Sequence, residues 1–114
     1  MEDCIFCKIA AGQIPSTRVF EDERAFAFRD IHPQAPTHIL IIPRKHYASL
    51  AALDERDQPL MSYLLHVANR LAKEEGIAEK GYRVTINCRP QGGQVVQHLH
   101  VHLLGGREMA GELG

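Results

Sequence analysis

The run His98-Leu99-His100-Val101-His102-Leu103-Leu104 constrains this chain more than any other segment. Side chains on a β-strand alternate between the two faces of a sheet. Read as a strand, the run puts three imidazoles on one face and Leu99, Val101 and Leu103 on the other. Core packing accounts for the apolar face. It does not account for three successive imidazoles, because each buried ring needs hydrogen-bond partners. A half-exposed polar face is one reading, although Ser, Thr or Lys would serve it equally well. A catalytic metal site is a second. A cupin-like site needs a glutamate shortly after its His-x-His pair, where this chain has Leu103, Leu104 and Gly105. A barrel hydrolase that uses His-x-His needs roughly 250 residues. The third reading is nucleophilic catalysis by a neutral imidazole, which near pH 7 both attacks phosphorus well and leaves it well.

The rest of the chain narrows these choices. Its 114 residues suit one domain, 1–114, with a single core. The formal net charge of −1 offers no basic field for nucleic acid. No stretch of roughly 18 apolar residues is present to span a membrane. The acidic start Met1-Glu2-Asp3-Cys4 lacks the apolar region of a signal peptide, so a reducing, cytoplasmic setting is expected. There, three cysteines suit metal binding or burial better than disulfides.

Local patterns predict the elements. Cys4 to Ala11 reads as a short helix stopped by Gly12. Arg18–Phe20 and Ala25–Phe28 read as strands joined by a polar turn, and His38–Ile42 as a buried strand ended by Pro43. A helical turn is expected around Ser49–Leu53. A long helix capped near Asp54 runs to about Glu75 and stops at Gly76, its stripe being Leu60, Leu64, Val67, Ala68 and Leu71. Tyr82–Asn87 and His98–Leu104 complete about five strands, mainly antiparallel, with one long and one short helix: an α+β fold. The loop with Gly92 and Gly93 could offer backbone N–H groups to phosphate oxygens.

At these residues a family resemblance emerges. His98 to Leu104 resembles the histidine-triad signature, in which histidines alternate with apolar residues. Asp30-Ile31-His32-Pro33-Gln34-Ala35-Pro36-Thr37-His38, Ile42-Pro43-Arg44-Lys45-His46, Gly81-Tyr82-Arg83 and Leu104-Gly105-Gly106-Arg107 resemble its Hint branch. The likeness runs from about Cys4 to Met109 and implies the fold of that superfamily.

The resemblance implies a purine nucleotide hydrolase acting on AMP, GMP or their conjugates, with phosphoramidates as its substrates. His100 would be the nucleophile and carry the nucleotidyl group. The carbonyl of His98 would hold its proton-bearing nitrogen, with His102 near the phosphate and leaving group and His38 as a supporting fourth histidine. Asp30 would accept the ribose hydroxyls. Asn87, Gly93, Gln94 and Val95 match positions near the phosphate, and Ile5, Phe6, Ile9, Phe28, Ile31 and Leu40 match an apolar purine slot. Where Hint relatives commonly have a serine, this chain has Val95, which can neither donate nor relay a proton. No catalytic metal is required. Dinucleoside polyphosphate hydrolysis, nucleotidyl transfer and a non-catalytic nucleotide-binding scaffold are the alternatives.

Cys4-Ile5-Phe6-Cys7 is a C-x-x-C without the strand–helix context of a redox pair. Relatives with such a pair add two histidines to hold structural zinc, which implies Cys4, Cys7, His46 and His98 as ligands here. Cys88 is left over and expected to be buried, while His32 and His66 read as loop or surface residues. The resemblance also implies a homodimer joined through the long helix and the strand from Tyr82. The tail from Glu108 to Gly114 has no aromatic residue to carry the role it plays in relatives.

Overall fold

A computed structural model describes residues 3–112; Met1 and Glu2 of the acidic start, and Leu113 and Gly114 of the tail, lie outside that range. The elements are α1 (Ile5–Ala10), β1 (Arg18–Glu21), β2 (Ala25–Arg29), β3 (Thr37–Pro43), α2 (Gln58–Glu74), β4 (Tyr82–Thr85) and β5 (Val101–Gly105). The strands form one antiparallel sheet in the order β1-β2-β3-β5-β4, as expected for this α+β class. Among the described residues no helix is long and apolar enough to cross a membrane.

Register and alternation together sort the side chains. Phe28 pairs with Leu40, Leu40 with His102, and His102 with Thr85, so these residues stand in one row on one face. The intervening residues Ala27, Ile39, Ile41, Val101 and Leu103 face the other way and pack on Leu64, Val67, Ala68 and Leu71 of α2. Burying each of these larger side chains contributes about 1.5–3 kcal/mol at most. On the first face, Phe6 and Ile9 of α1 pack with Phe26, Phe28, Leu40 and Ile42. The sheet thus carries its main core under α2 and sets the histidine face beside the smaller α1, where His102 stays partly exposed.

Three boundaries differ from the sequence reading by two residues or more. The last strand begins at Val101, not His98. Residues of β3 alternate in which neighbour they bond: His38 serves the β2 side by accepting from Asp30 N–H, and Arg44 does so by donating to Arg24. Pro43 therefore turns its backbone toward β5, where it has no N–H to give. The ladder stops there, and Leu99 N–H finds Tyr47 O instead, at 2.7 Å. The long helix starts at Gln58, because Pro59 has no N–H for the carbonyl of Glu55. Asp54 caps a separate 3-10 turn, Glu55–Asp57, its carboxylate accepting Arg56 N–H at 2.8 Å. Strand β4 ends at Thr85 rather than Asn87. Cys4 serves as the cap of α1, its Sγ accepting Cys7 N–H at 3.3 Å.

Candidate active site

His100 is buried, with 6% of its surface exposed. Its Nδ1 lies 2.7 Å from the carbonyl oxygen of His98. A carbonyl can only accept, so Nδ1 carries the proton and Nε2 carries the lone pair. Phe6 presses edge-to-face on the ring, with centroids 5.2 Å apart at 89°.

A second chain of contacts settles His102. The N–H of Gln34 donates to His38 Nδ1 at 3.0 Å, so neutral His38 has its proton on Nε2. That nitrogen lies 3.0 Å from His102 Nδ1 and 3.5 Å from Asp30 Oδ2. His102 Nδ1 is thus an acceptor, and neutral His102 has its proton on Nε2. Burial, reinforced by the neighbouring His100 and His38, pushes His102 down to about 4. Burial also lowers His38, with Asp30 opposing it. The rings of His100 and His102 sit with centroids 4.9 Å apart. Neighbouring rings therefore offer a lone pair and an N–H, one able to attack and the other able to hold an oxygen.

These two rings line a cleft of about 470 Å³. Ile5, Phe6, Ile9, Phe28, Ile31 and Leu40 line it too, as do Asp30, Asn87, Gly93 and Val95. Asp30 Oδ1 accepts the N–H of His32 at 2.8 Å. Gln94 stands apart from this lining. Its amide donates to Ala48 O at 2.7 Å and Val96 O at 2.9 Å, and its oxygen accepts Arg89 N–H at 2.7 Å. It pins the loop instead of reaching into the cleft.

The expectation for the glycine loop needs correction. The N–H groups of Gly92 and Gly93 are spent on the carbonyls of Arg89 and Pro90 within a 3-10 turn, so they are not free for an anion. Gly93 has φ +81, a conformation that disfavours a side chain, and this turn shapes the rim. Asn87 donates one amide hydrogen to Gly92 O at 2.8 Å and keeps a second. Sequence reasoning missed Arg89, a non-glycine residue at φ 62 whose main chain anchors both the turn and Gln94. It also missed the main-chain N–H of Gln34. Neither has a signal in the sequence, because both act through the backbone.

Cys4, Cys7, His46 and His98 converge beside this cleft, their four donor atoms all within 4.8 Å of one another. His98 Nδ1 is 3.2 Å from Cys4 Sγ, 3.5 Å from Cys7 Sγ and 3.2 Å from His46 Nδ1; Cys7 Sγ is 3.4 Å from His46 Nδ1. Tetrahedral zinc with ordinary bond lengths has edges of about 3.3 Å between nitrogens and about 3.5 Å between nitrogen and sulfur. His98 Nε2 donates to Pro43 O at 2.9 Å, which leaves the Nδ1 lone pair aimed at the centre of the four. The donor set fits zinc. Cys88 is half-buried, and His32 and His66 are exposed.

The chain is similar to known proteins over most of its length. The family model for the HIT domain matches residues 11–109. The chain is 58% identical over 107 residues to the 14 kDa zinc-binding protein of Zea mays, covering 92% of this chain and 83% of that relative. It is 46% identical over 108 residues to the purine nucleoside phosphoramidase of Escherichia coli (strain K12), covering 95% and 91% respectively. The crystal structure of a HIT family hydrolase from Legionella pneumophila Philadelphia 1 is similar with a TM-score of 0.96 and 53% identity, covering 98% of this chain and 100% of that one. With sheet, triad and family match in agreement, this chain belongs to the HIT family.

Proposed function

We propose that the chain hydrolyses purine nucleoside 5′-phosphoramidates through a nucleotidyl intermediate on His100. The observation that carries this reading is the 2.7 Å bond from His100 Nδ1 to the His98 carbonyl, which leaves Nε2 as a nucleophile on a ring that lines an apolar cleft. The purine enters between Phe6, Ile9, Phe28, Ile31 and Leu40, and Asp30 accepts from the ribose hydroxyls. His100 Nε2 bonds to the α-phosphorus as the P–N bond breaks. The amine departs with a proton drawn from water, since Val95 supplies none. His102 Nε2–H and the free N–H of Asn87 hold the phosphoryl oxygens as charge builds on them. Water then attacks phosphorus, the P–Nε2 bond breaks, one water proton goes to solvent, and the nucleoside monophosphate leaves.

Charge supports a phosphoramidate over a polyphosphate. Arg29 lines the cleft, but its guanidinium is committed to both carboxylate oxygens of Glu75, at 2.8 and 3.0 Å. Among the described residues no lysine lines it. A single α-phosphate suits such a site, whereas a polyphosphate would bring charge with no cation to meet it. The name of the Escherichia coli relative points the same way. The Cys4, Cys7, His46 and His98 centre holds zinc in this reading and braces α1 against the sheet, without touching the substrate. The working form is a homodimer of a single domain, in the cytoplasm. The open edge of β4 and exposed Val84 and Leu65 support the dimer.

An AMP-amine conjugate assayed beside a dinucleoside polyphosphate tests this reading. AMP should be released far faster from the conjugate. Preference for the polyphosphate, or no turnover of either, would overturn it.

A further inference from the structure

His98 takes part in both halves of the site. Its ring has no exposed surface, with Nδ1 among the cysteines and His46 and Nε2 held by Pro43 O. Its carbonyl is the acceptor that turns His100. One residue's backbone and ring thus connect the metal donors to the proposed nucleophile with no flexible side chain between them.

A parallel connection runs through α1. Cys4 caps this helix and Cys7 lies in its first turn, with Phe6 between them. The Phe6 ring packs at 6.0 Å on His98 and 5.2 Å on His100, and also lines the cleft. A six-residue helix has little stability of its own, so what ties down Cys4 and Cys7 places Phe6. Two of the metal donors are also reachable from outside. Cys4 and His46 line a surface depression whose other walls include Ile5, Val95 and Val96, and these three also line the nucleotide cleft.

We infer that the Cys4, Cys7, His46 and His98 centre controls the nucleotide site, with His98 as a positioning residue. With metal bound, the His98 carbonyl and Phe6 hold His100 turned toward the phosphorus and the purine slot closed on its base. With metal lost, α1 and His98 relax together, and the cleft loses one wall and the aim of its nucleophile. The inference rests on His100 being the nucleophile of a nucleotide site. It makes metal and nucleotide binding mutually dependent, and such a coupling is the same in both directions.

The test uses binding of AMP, not turnover. AMP is titrated calorimetrically into zinc-loaded and metal-stripped protein, at a temperature where circular dichroism shows the stripped protein folded. Zinc affinity is measured against a competing chelator, with and without saturating AMP. AMP should bind about tenfold more weakly to the stripped protein, and AMP should raise zinc affinity by the same factor. A metal that only braces the fold would shift the melting temperature and leave both affinities unchanged, which would overturn the inference. If the stripped protein does not stay folded, cobalt-loaded protein decides. Its visible ligand-field bands should shift on AMP binding, and bands unmoved by saturating AMP would overturn the coupling. Failure of AMP to bind the zinc-loaded protein would overturn the nucleotide reading itself, and the coupling with it.

Discussion

A carbonyl oxygen can only accept, and that of His98 meets His100 Nδ1 at 2.7 Å, so the main chain selects the tautomer of the proposed nucleophile. His100→Ala should therefore remove the attacking atom while keeping the slot. Turnover of an AMP-amine conjugate should fall by roughly 10⁴-fold or more, with AMP affinity changed only a few-fold. A variant that retains activity in a steady-state assay would exclude this residue as nucleophile. Val95 tests the leaving-group side. It is 87% exposed at the edge of the cleft, so Val95→Ser costs little packing. A hydroxyl there can donate a proton, and kcat for a conjugate of a strongly basic amine should rise about tenfold. An unchanged kcat across amines of different basicity would show that this position does not meet the leaving group.

At the scale of elements, β5 depends on close approach at its end. A methyl group on Gly105 would lie 3.0 Å from Cβ of Ile77, near the backbone that follows α2. Gly105→Ala should cost about 1–3 kcal/mol of stability by overpacking, read as a lower urea midpoint. A midpoint equal to that of the parent would mean that Ile77 yields freely. Strand β4 is the sheet edge next to β5, and Val84 is exposed on it. In the proposed homodimer, Val84→Glu would put two like charges near the two-fold axis. Size-exclusion chromatography with light scattering should then show monomers where the parent shows dimers, and a dimeric variant would place the contact elsewhere.

For the whole molecule, the buried imidazoles tie stability to pH. In the unfolded chain His102 takes its proton near the ordinary histidine value of 6.5; in the fold it does so only at about 4. Between those values the unfolded state binds more protons than the native one. Stability is therefore full above about pH 6.5 and declines as pH falls toward 4, with His38 adding in the same direction. One such proton corresponds to at most about 1.4 kcal/mol per pH unit, less here because part of the His102 ring meets solvent. The urea midpoint should thus be lower at pH 5 than at pH 7, and a flat profile over that range would contradict neutral burial of these rings.

Periodic features were legible in the sequence because side-chain direction depends on nearby backbone alone. Alternation in His98–Leu104 separated core from site, helical spacing found the buried stripe of α2, and the resemblance named Cys4, Cys7, His46 and His98, which the fold brings together. Bonding partners were not legible in the same way. The late start of β5 follows from the missing N–H of Pro43, which matters only because β3 turns that residue toward β5. The occupied N–H groups of Gly92 and Gly93, the φ of Arg89 and the tautomers of His38 and His102 depend on which carbonyl or nitrogen stands opposite. Local chemistry sets which groups can donate or accept; only long-range packing decides which of them are already taken.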